Sequence, residues 1–499
     1  MKHLLLSLFL AVPALAQLRE SVTVQVVEVP VYVTAGAEPV TNLTRENFQL
    51  FVNGKAQSID YFDRIDFAAI APERARDPRQ RRLYMLVFDV NTSPNALHRA
   101  RNAALDLIDH AEVDHTFSVA TIGRGASGVI VPFTRDRLLI RHAIRNLKVS
   151  LAGDPLRLSL TSGERGGETG LPGLDDRLLL MPGEFDLDSL SMISDMLYEL
   201  SELAGRLSGF EGYKHLVLLS RGFDAAALHG IVGPPKPGGL RNMTASQRSG
   251  ATLAAAPNAA LLGQLRVMAR TFADAGVFLD AIDTAGLRPM QELWDNEALT
   301  AMVRPTGGAL IEHRNDLTGA LQLLIDQQRV VYVLGFRPGN TGNSTNRIHV
   351  KVTGAPRGAH VAFRPSYSTS VAPPDTADRL RLADIVMNDI PQNGVTAEVH
   401  VEGGLVELEI PGREVLAHAV AGNVGAEAMF YITSGSTVVA FRSKKVTVDV
   451  GRAEAGLMER PLRVVEPFDL PPGAYVAKVL VRIDGSGALG FARAEFNVE

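Results

Sequence analysis

The chain has 499 residues, 46% of them hydrophobic and 21% charged, and a formal net charge of −5. This is the composition of a folded globular chain with length for about three domains, and its acidic balance excludes a broad nucleic-acid-binding surface. There is no cysteine, which excludes disulfides, thiolate metal sites, a lipid-bearing N-terminal cysteine and cysteine nucleophiles.

Residues 1–16 read as a signal peptide. Lys2 and His3 precede the apolar run Leu4–Val12, and Ala14 and Ala16 form a small-x-small cleavage pattern that makes Gln17 the new N-terminus. The run is short for a bilayer span, and no later stretch is long and apolar enough to be one. The expectation is an exported protein, periplasmic or extracellular, with no transmembrane segment.

Residues 17–75 read as β. Val22, Val24 and Val26 alternate with polar residues, and Asn53-Gly54 between FQLFV and AQSIDYF is a hairpin signal. The pattern changes over 80–328. LYMLVFDV is a continuous apolar run, as in a strand buried on both faces of a parallel sheet. Leu97, Ala100, Ala104, Leu105, Ile108 and Ala111 then recur at helical spacing. FSVATIG, GVIVPFT, HLVLLS, VFLDAID and GALIE follow as strands with helices among them, interrupted by Gly/Pro-rich stretches at 150–187 and 222–258. This alternation predicts a doubly wound, mostly parallel α/β sheet. Residues 329–370 return to β, with VVYVLGF, RIHVKVTG and HVAFRPSY; after a linker at Pro373–Asp375, residues 376–499 offer about seven strand-like runs and read as a C-terminal all-β sandwich. The strands of 17–75 and of 329–370 are too few to bury a face alone. They are expected to pair, so that the α/β domain is inserted in a β-sandwich built by both flanks.

Enzyme signatures are absent: there is no G-x-S-x-G elbow, no H-E-x-x-H and no G-x-x-x-x-G-K-[ST]. Gly123–Gly128 matches G-x-G-x-x-G, but a strand rather than a helix follows, so a hairpin turn is predicted. His110 and His115, with acids around them, read as a solvated helix end. Asp280 and Asp283 straddle the end of an apolar strand, where one could line the sheet edge or Asp283 could cap a turn. No nucleophile–base pair emerges, and the chain is read as non-enzymatic.

LVFDVNTSPN stands out. Asp89 ends an apolar strand, and ligands of open α/β sheets bind outside such ends. Oxygen side chains at Asp89, Asn91 and Ser93 can converge on a hard cation. Equally, Ser93-Pro94 is a matched N-cap and first helical residue. Both readings stay open.

The order of elements over 83–328, with D-x-N-x-S after the first strand, resembles a von Willebrand factor type A domain. The wider chain resembles the acidobacterial von Willebrand A-related proteins, through VEVPVYVT (27–34), VTNLTRENFQLFVNGK (40–55), LVFDVNTS (86–93), AIDTAGL (281–287), YVLGFRP (332–338) and FRPSY (363–367). The resemblance implies a metal-ion-dependent adhesion site for Mg²⁺, Mn²⁺ or Ca²⁺, built from D-x-S-x-S, a threonine and a later aspartate. Here these would be Asp89, Asn91, Ser93 and Thr169, or Thr161 as the threonine. Where the aspartate belongs stand Ser220 and Arg221, with Asp224 four residues late, so the site is expected to be degenerate. The implied function is protein binding of the adhesion type at that edge, with Ser220, Arg221, Asp224 and Asp283 as partner-facing residues. The alternative is a structural component of the cell envelope or surface, and the lesser one a hydrolase using Asp89 and an acid from 175–188.

Overall fold

The computed structural model describes residues 26–70, 77–112, 115–123, 127–148, 187–223, 225–229, 258–287, 297–338, 345–368, 375–420, 422–435 and 437–499. The signal-peptide reading of residues 1–16 lies outside them. No helix among them is long and apolar enough to cross a membrane.

A six-stranded sheet forms the centre. Its order is Leu310–Ile311, Val277–Asp283, Tyr213–Ser220, Arg82–Asp89, Thr116–Ile122, Gly128–Thr134. All neighbours are parallel except the last pair, which is antiparallel. The strand after Gly123 is therefore the second arm of a hairpin, as the sequence pattern predicts. Every residue of Arg82–Asp89 is buried. Leu83, Met85 and Val87 join one core with helices Leu187–Leu207 and Ala259–Ala275. Tyr84, Leu86 and Phe88 join another with helices Pro94–His110, Arg137–Arg145 and Leu317–Gln327. Period-two alternation thus feeds two apolar layers, which is why the strand reads as an unbroken apolar run.

The segments before and after this sheet meet each other. Val27–Ala35 lies between Val330–Phe336 and His360–Phe363, in register Val27↔Phe336 and Val31↔Phe363, and Tyr61–Asp66 completes the row. Ser366–Ser368, Thr345–Val352, Phe48–Val52 and Lys55–Gln57 form a second sheet. The two share one core, with Val29, Val31 and Leu334 from the first and Leu50, Ile348 and Val350 from the second. Asn53 and Gly54 take φ of 50° and 78° between Phe48–Val52 and Lys55–Gln57, the left-handed pair that a two-residue hairpin requires.

The C-terminal region departs from the all-β expectation for 376–499. Its described residues do hold seven strands, in a three-stranded sheet (Glu398–Glu402, Leu405–Ile410, Leu462–Pro467) and a four-stranded one (Thr437–Asp449, Asn423–Ser434, Gly473–Ile483, Leu489–Val498) over one core. Three helices are added: Asp375–Met387, Gly412–Ala417 and Val450–Glu459. The first begins inside the expected linker. It packs where Gly209 ends the Leu187–Leu207 helix region, and a Cβ at Gly209 would stand 2.5 Å from the Ala377 carbonyl oxygen.

Candidate functional site

Arg82–Asp89 is hydrogen-bonded to Thr116–Ile122 on one side and to Tyr213–Ser220 on the other. Strand order reverses here, so successive connections leave in opposite directions and open a crevice at the carboxyl ends. Asp89 and Ser220 are the last residues of the two strands that flank it, and both are buried.

Ser220 Oγ donates to Asp89 Oδ2 at 2.6 Å, and the Asn91 backbone N–H donates to Asp89 Oδ1 at 2.9 Å. The Gly222 N–H donates to Ser220 Oγ at 2.9 Å, fixing the hydroxyl so that its proton points at the acid. Burial raises the Asp89 carboxyl to about 6; the hydrogen bonds from Ser220 and Asn91 oppose the rise, Glu199 adds to it and Arg221 opposes it.

At the same edge, between the ends of Arg82–Asp89 and Thr116–Ile122 and the Leu187–Leu207 helix, lies a cavity of about 120 Å³ lined by Asp89, Asn91, Gly123, Asp195 and Glu199, with Met192 among the apolar walls; Ser220 stays behind Asp89, fully buried. Asp195 and Glu199 stand one turn apart on the Leu187–Leu207 helix. Burial also raises Glu199, against hydrogen bonds from Ser127 and from the Gly123 N–H, which lies 3.3 Å from Glu199 Oε2. Gly123 has φ of 144°, and a Cβ there would stand 2.7 Å from Val90 Cγ2, so only glycine lets the chain pass this close.

Ser93 is placed as a helix cap. Its Oγ accepts the Ala96 N–H at 3.2 Å, Pro94 is the first helical residue, and Ser93 does not line the cavity. Asp283 aligns with Ser220 on the next strand out, buried, with Oδ1 accepting the Ala285 N–H at 2.8 Å. Arg221 is buried beside Asp89. Thr161, Thr169 and Asp224 lie outside the described residues. The structure thus brings Asp89, Asn91, Ser220 and Arg221 together, with Asp283 one strand away.

The donor set does not fit the implied cation. Both Asp89 oxygens accept hydrogen bonds, and the hydroxyl in the aspartate's place directs its proton into the acid instead of offering a lone pair to an ion. The Arg221 charge beside the carboxylate opposes a second positive charge.

No family model matches the chain, and no curated protein does. Among solved structures the chain is similar to the SpRpn10 VWA domain, at 11% identity over 48% of this chain and 93% of that one, with a TM-score of 0.21. A mutant of the PilB minor pilin from Streptococcus sanguinis matches at 12% identity over 50% of this chain and 62% of the pilin chain, with a TM-score of 0.26. The ArnB paralog VWA2 from Sulfolobus acidocaldarius matches at 8% identity over 95% and 75%, with a TM-score of 0.20. At these values the likenesses say nothing of what the chain binds.

Two of the acids, Asp195 and Glu199, escape a reading of the sequence because it follows the apolar stripe of their helix, Leu190, Ile193 and Leu197. The available signal is their i, i+4 spacing, each three residues after a buried methionine, Met192 or Met196. His115 also differs from the solvated helix end expected of it. It is buried against Arg82, and its imidazole is pushed down to about 3 by burial first and then by the Arg82 and Arg137 charges. It is a neutral core residue.

Asp89 makes a pH-dependent prediction. Its folded-state pKa of about 6 exceeds the ordinary 3.8, so the native state binds the proton more tightly than the unfolded chain does. Native stability therefore falls as pH rises from about 4 to 6, by on the order of 3 kcal/mol for a shift of this size. Asp89→Asn is expected to melt above wild type at pH 8 and to lose that advantage at pH 4. Parallel melts at the two pH values measure it; an advantage equal at both would contradict the assignment.

Proposed function

We propose that the chain is an exported, non-catalytic protein-binding module of the von Willebrand A type, inserted in a β-sandwich. It holds its partner at the cavity lined by Asp89, Asp195 and Glu199 without a metal ion. The observation that carries the reading is Asp89 itself. A carboxyl group buried where its charged form is disfavoured lowers stability at neutral pH, and such groups concentrate at functional sites. Asp195 and Glu199 add negative charge at the same cavity, which is the size of one side-chain head. The partner group of matching chemistry is a lysine or arginine head, set against buried Asp89, half-buried Glu199 and exposed Asp195.

The test is affinity capture from periplasmic and extracellular fractions, comparing wild type with Asp89→Asn and Glu199→Gln. The partner is expected to be retained by wild type with or without a chelator. Each variant should lose it about tenfold or more, the scale of one buried charge-assisted contact of about 1.5–3 kcal/mol. A partner that chelator releases, or that both variants keep, would sink the metal-free acidic-site reading.

A self-assembling surface component has one observation in its favour. Thr437–Asp449 is a 13-residue edge strand that exposes Val438, Val439 and Phe441. Its Arg442, Lys444 and Lys445 repel a second copy of the same edge, a common guard against edge-to-edge pairing, so the binding-module reading is preferred.

A further inference from the structure

At the opposite end of the central sheet lies a larger cavity, of about 420 Å³, whose lining includes Lys214, Arg364, Asp274, Glu28, Glu211 and Tyr213. Lys214 is the second residue of its strand and is buried. Its Nζ donates to the carbonyls of Leu207 at 3.2 Å and Phe210 at 3.1 Å. Arg364 reaches in from the flanking β region. Its Nη1 donates to the Ala273 carbonyl at 3.4 Å and its Nη2 to that of Glu28 at 3.1 Å. Among the described residues neither cation makes an ion pair with a carboxylate.

The two heads converge on one point. Gly276, left-handed at φ 65°, closes the Ala259–Ala275 helix, and an atom at its Cβ position would lie 3.5 Å from Arg364 Nη1 and 3.9 Å from Lys214 Nζ. Glycine leaves that space open between two like charges. Two buried polar atoms nearby have no partner: Arg364 Nε, a donor, and Asp274 Oδ1, an acceptor. A buried unpaired group costs free energy that a ligand of matching chemistry would recover. Carboxylates of Asp274, Glu28 and Glu211 surround the two like charges, but none is in contact with either, which leaves the space between the cations open to an anion.

We propose that this cavity binds a small oxyanion that also carries a hydroxyl or amino group. The anionic oxygens bridge Lys214 Nζ and the Arg364 guanidinium beside Gly276, and the ligand's own donor satisfies Asp274 Oδ1. Burial, and then Arg364, pushes the Lys214 amine down to about 7, with Glu211 opposing; burial lowers Arg364 against Asp274 and Glu28; burial raises Asp274 against Arg270 and Arg364. An anion between the two cations favours their charged forms.

Inorganic phosphate is the probe, because it carries both charge and a donor; sulfate carries the charge without the donor at neutral pH. Titrations on the full chain at constant ionic strength are expected to show saturable phosphate binding, at least tenfold weaker in Lys214→Met and in Arg364→Gln and at least tenfold weaker for sulfate. In wild type, phosphate should also slow acetylation of Lys214 by acetic anhydride, read by peptide mass spectrometry, several-fold relative to exposed lysines; this holds the test if a variant does not fold. No saturable phosphate binding, equal affinity for sulfate, or a Lys214 acetylation rate indifferent to phosphate each overturns the proposal.

Discussion

Arg81→Met is expected to lower stability by about 3–5 kcal/mol, because removing one partner of a buried ion pair leaves the other charge uncompensated. Arg81 Nη2 lies 2.7 Å from Asp384 Oδ2, and both side chains are 5% exposed. Asp384 sits on the Asp375–Met387 helix, while Arg81 immediately precedes the first strand of the central sheet, so the pair fastens the C-terminal region to the α/β region. Asn388 completes the joint by donating to Asp384 Oδ1 and to the Phe133 carbonyl, each at 2.8 Å. A control lies close by. Arg381 pairs with Glu211 at 2.9 Å on the same helix, but both are about a third exposed, so Arg381→Met is expected to cost about 0–1 kcal/mol. The double variant Arg81→Met/Asp384→Leu should recover most of the loss, since an apolar pair of similar volume replaces the ions without desolvating a charge. Urea unfolding of the four proteins is the measurement. Equal losses for Arg81→Met and Arg381→Met would show that the buried pair does not fasten the two regions.

What a sequence displays of this molecule is what lies within a few residues. The Asn53-Gly54 turn, the Ser93-Pro94 helix start and the two-faced apolar strand ending at Asp89 each follow from local stereochemistry, and each is legible. The Asp375–Met387 helix is not. Its apolar residues do not gather on one stripe, because it is clamped on several sides, by Asp384 and Ala377 toward the α/β region and by Val386 toward Lys478. The cavity at Asp89 is legible in half. Asp89, Asn91 and Ser220 announce themselves by their places at strand ends, but the bond from the Ser220 hydroxyl to Asp89 spans 131 residues, and Asp195 and Glu199 arrive by helix packing. The motif names the edge of the sheet; only the packing shows that its acid is held by a hydroxyl in place of a second acid.

Asp280 shows how a second buried aspartate on the same sheet does different work. As a sequence feature it pairs with Asp283 at a strand end. In the fold it faces inward, 1% exposed, and its partners are complete. Oδ1 accepts the Ala309 N–H at 2.7 Å, and Oδ2 accepts Gln328 Nε2 at 2.9 Å and His215 Nδ1 at 2.8 Å. His215 Nε2 in turn meets Tyr32 Oη at 2.9 Å. Burial raises the Tyr32 phenol well above its usual value, so it keeps its proton and donates to Nε2, which leaves Nδ1–H to donate to Asp280. The His215 ring stacks on Phe278 and Tyr84, at centroid distances of 5.3 and 5.5 Å. Tyr32 belongs to the flanking sheet, so the relay ties that sheet to two strands of the central one. Asp280→Ala leaves three donors unpaired at once, two of them buried, and is expected to cost about 3–5 kcal/mol, whereas Tyr32→Phe leaves only one acceptor unpaired and should cost about 1–3 kcal/mol. Because both changes break the same chain through His215, the double variant should cost less than their sum, by about 0.5–3 kcal/mol of coupling. Strict additivity, or an Asp280→Ala loss below about 1 kcal/mol, would mean that the apolar contacts of Tyr32 with Phe278, Val331 and Val333 hold this junction and the polar chain is incidental.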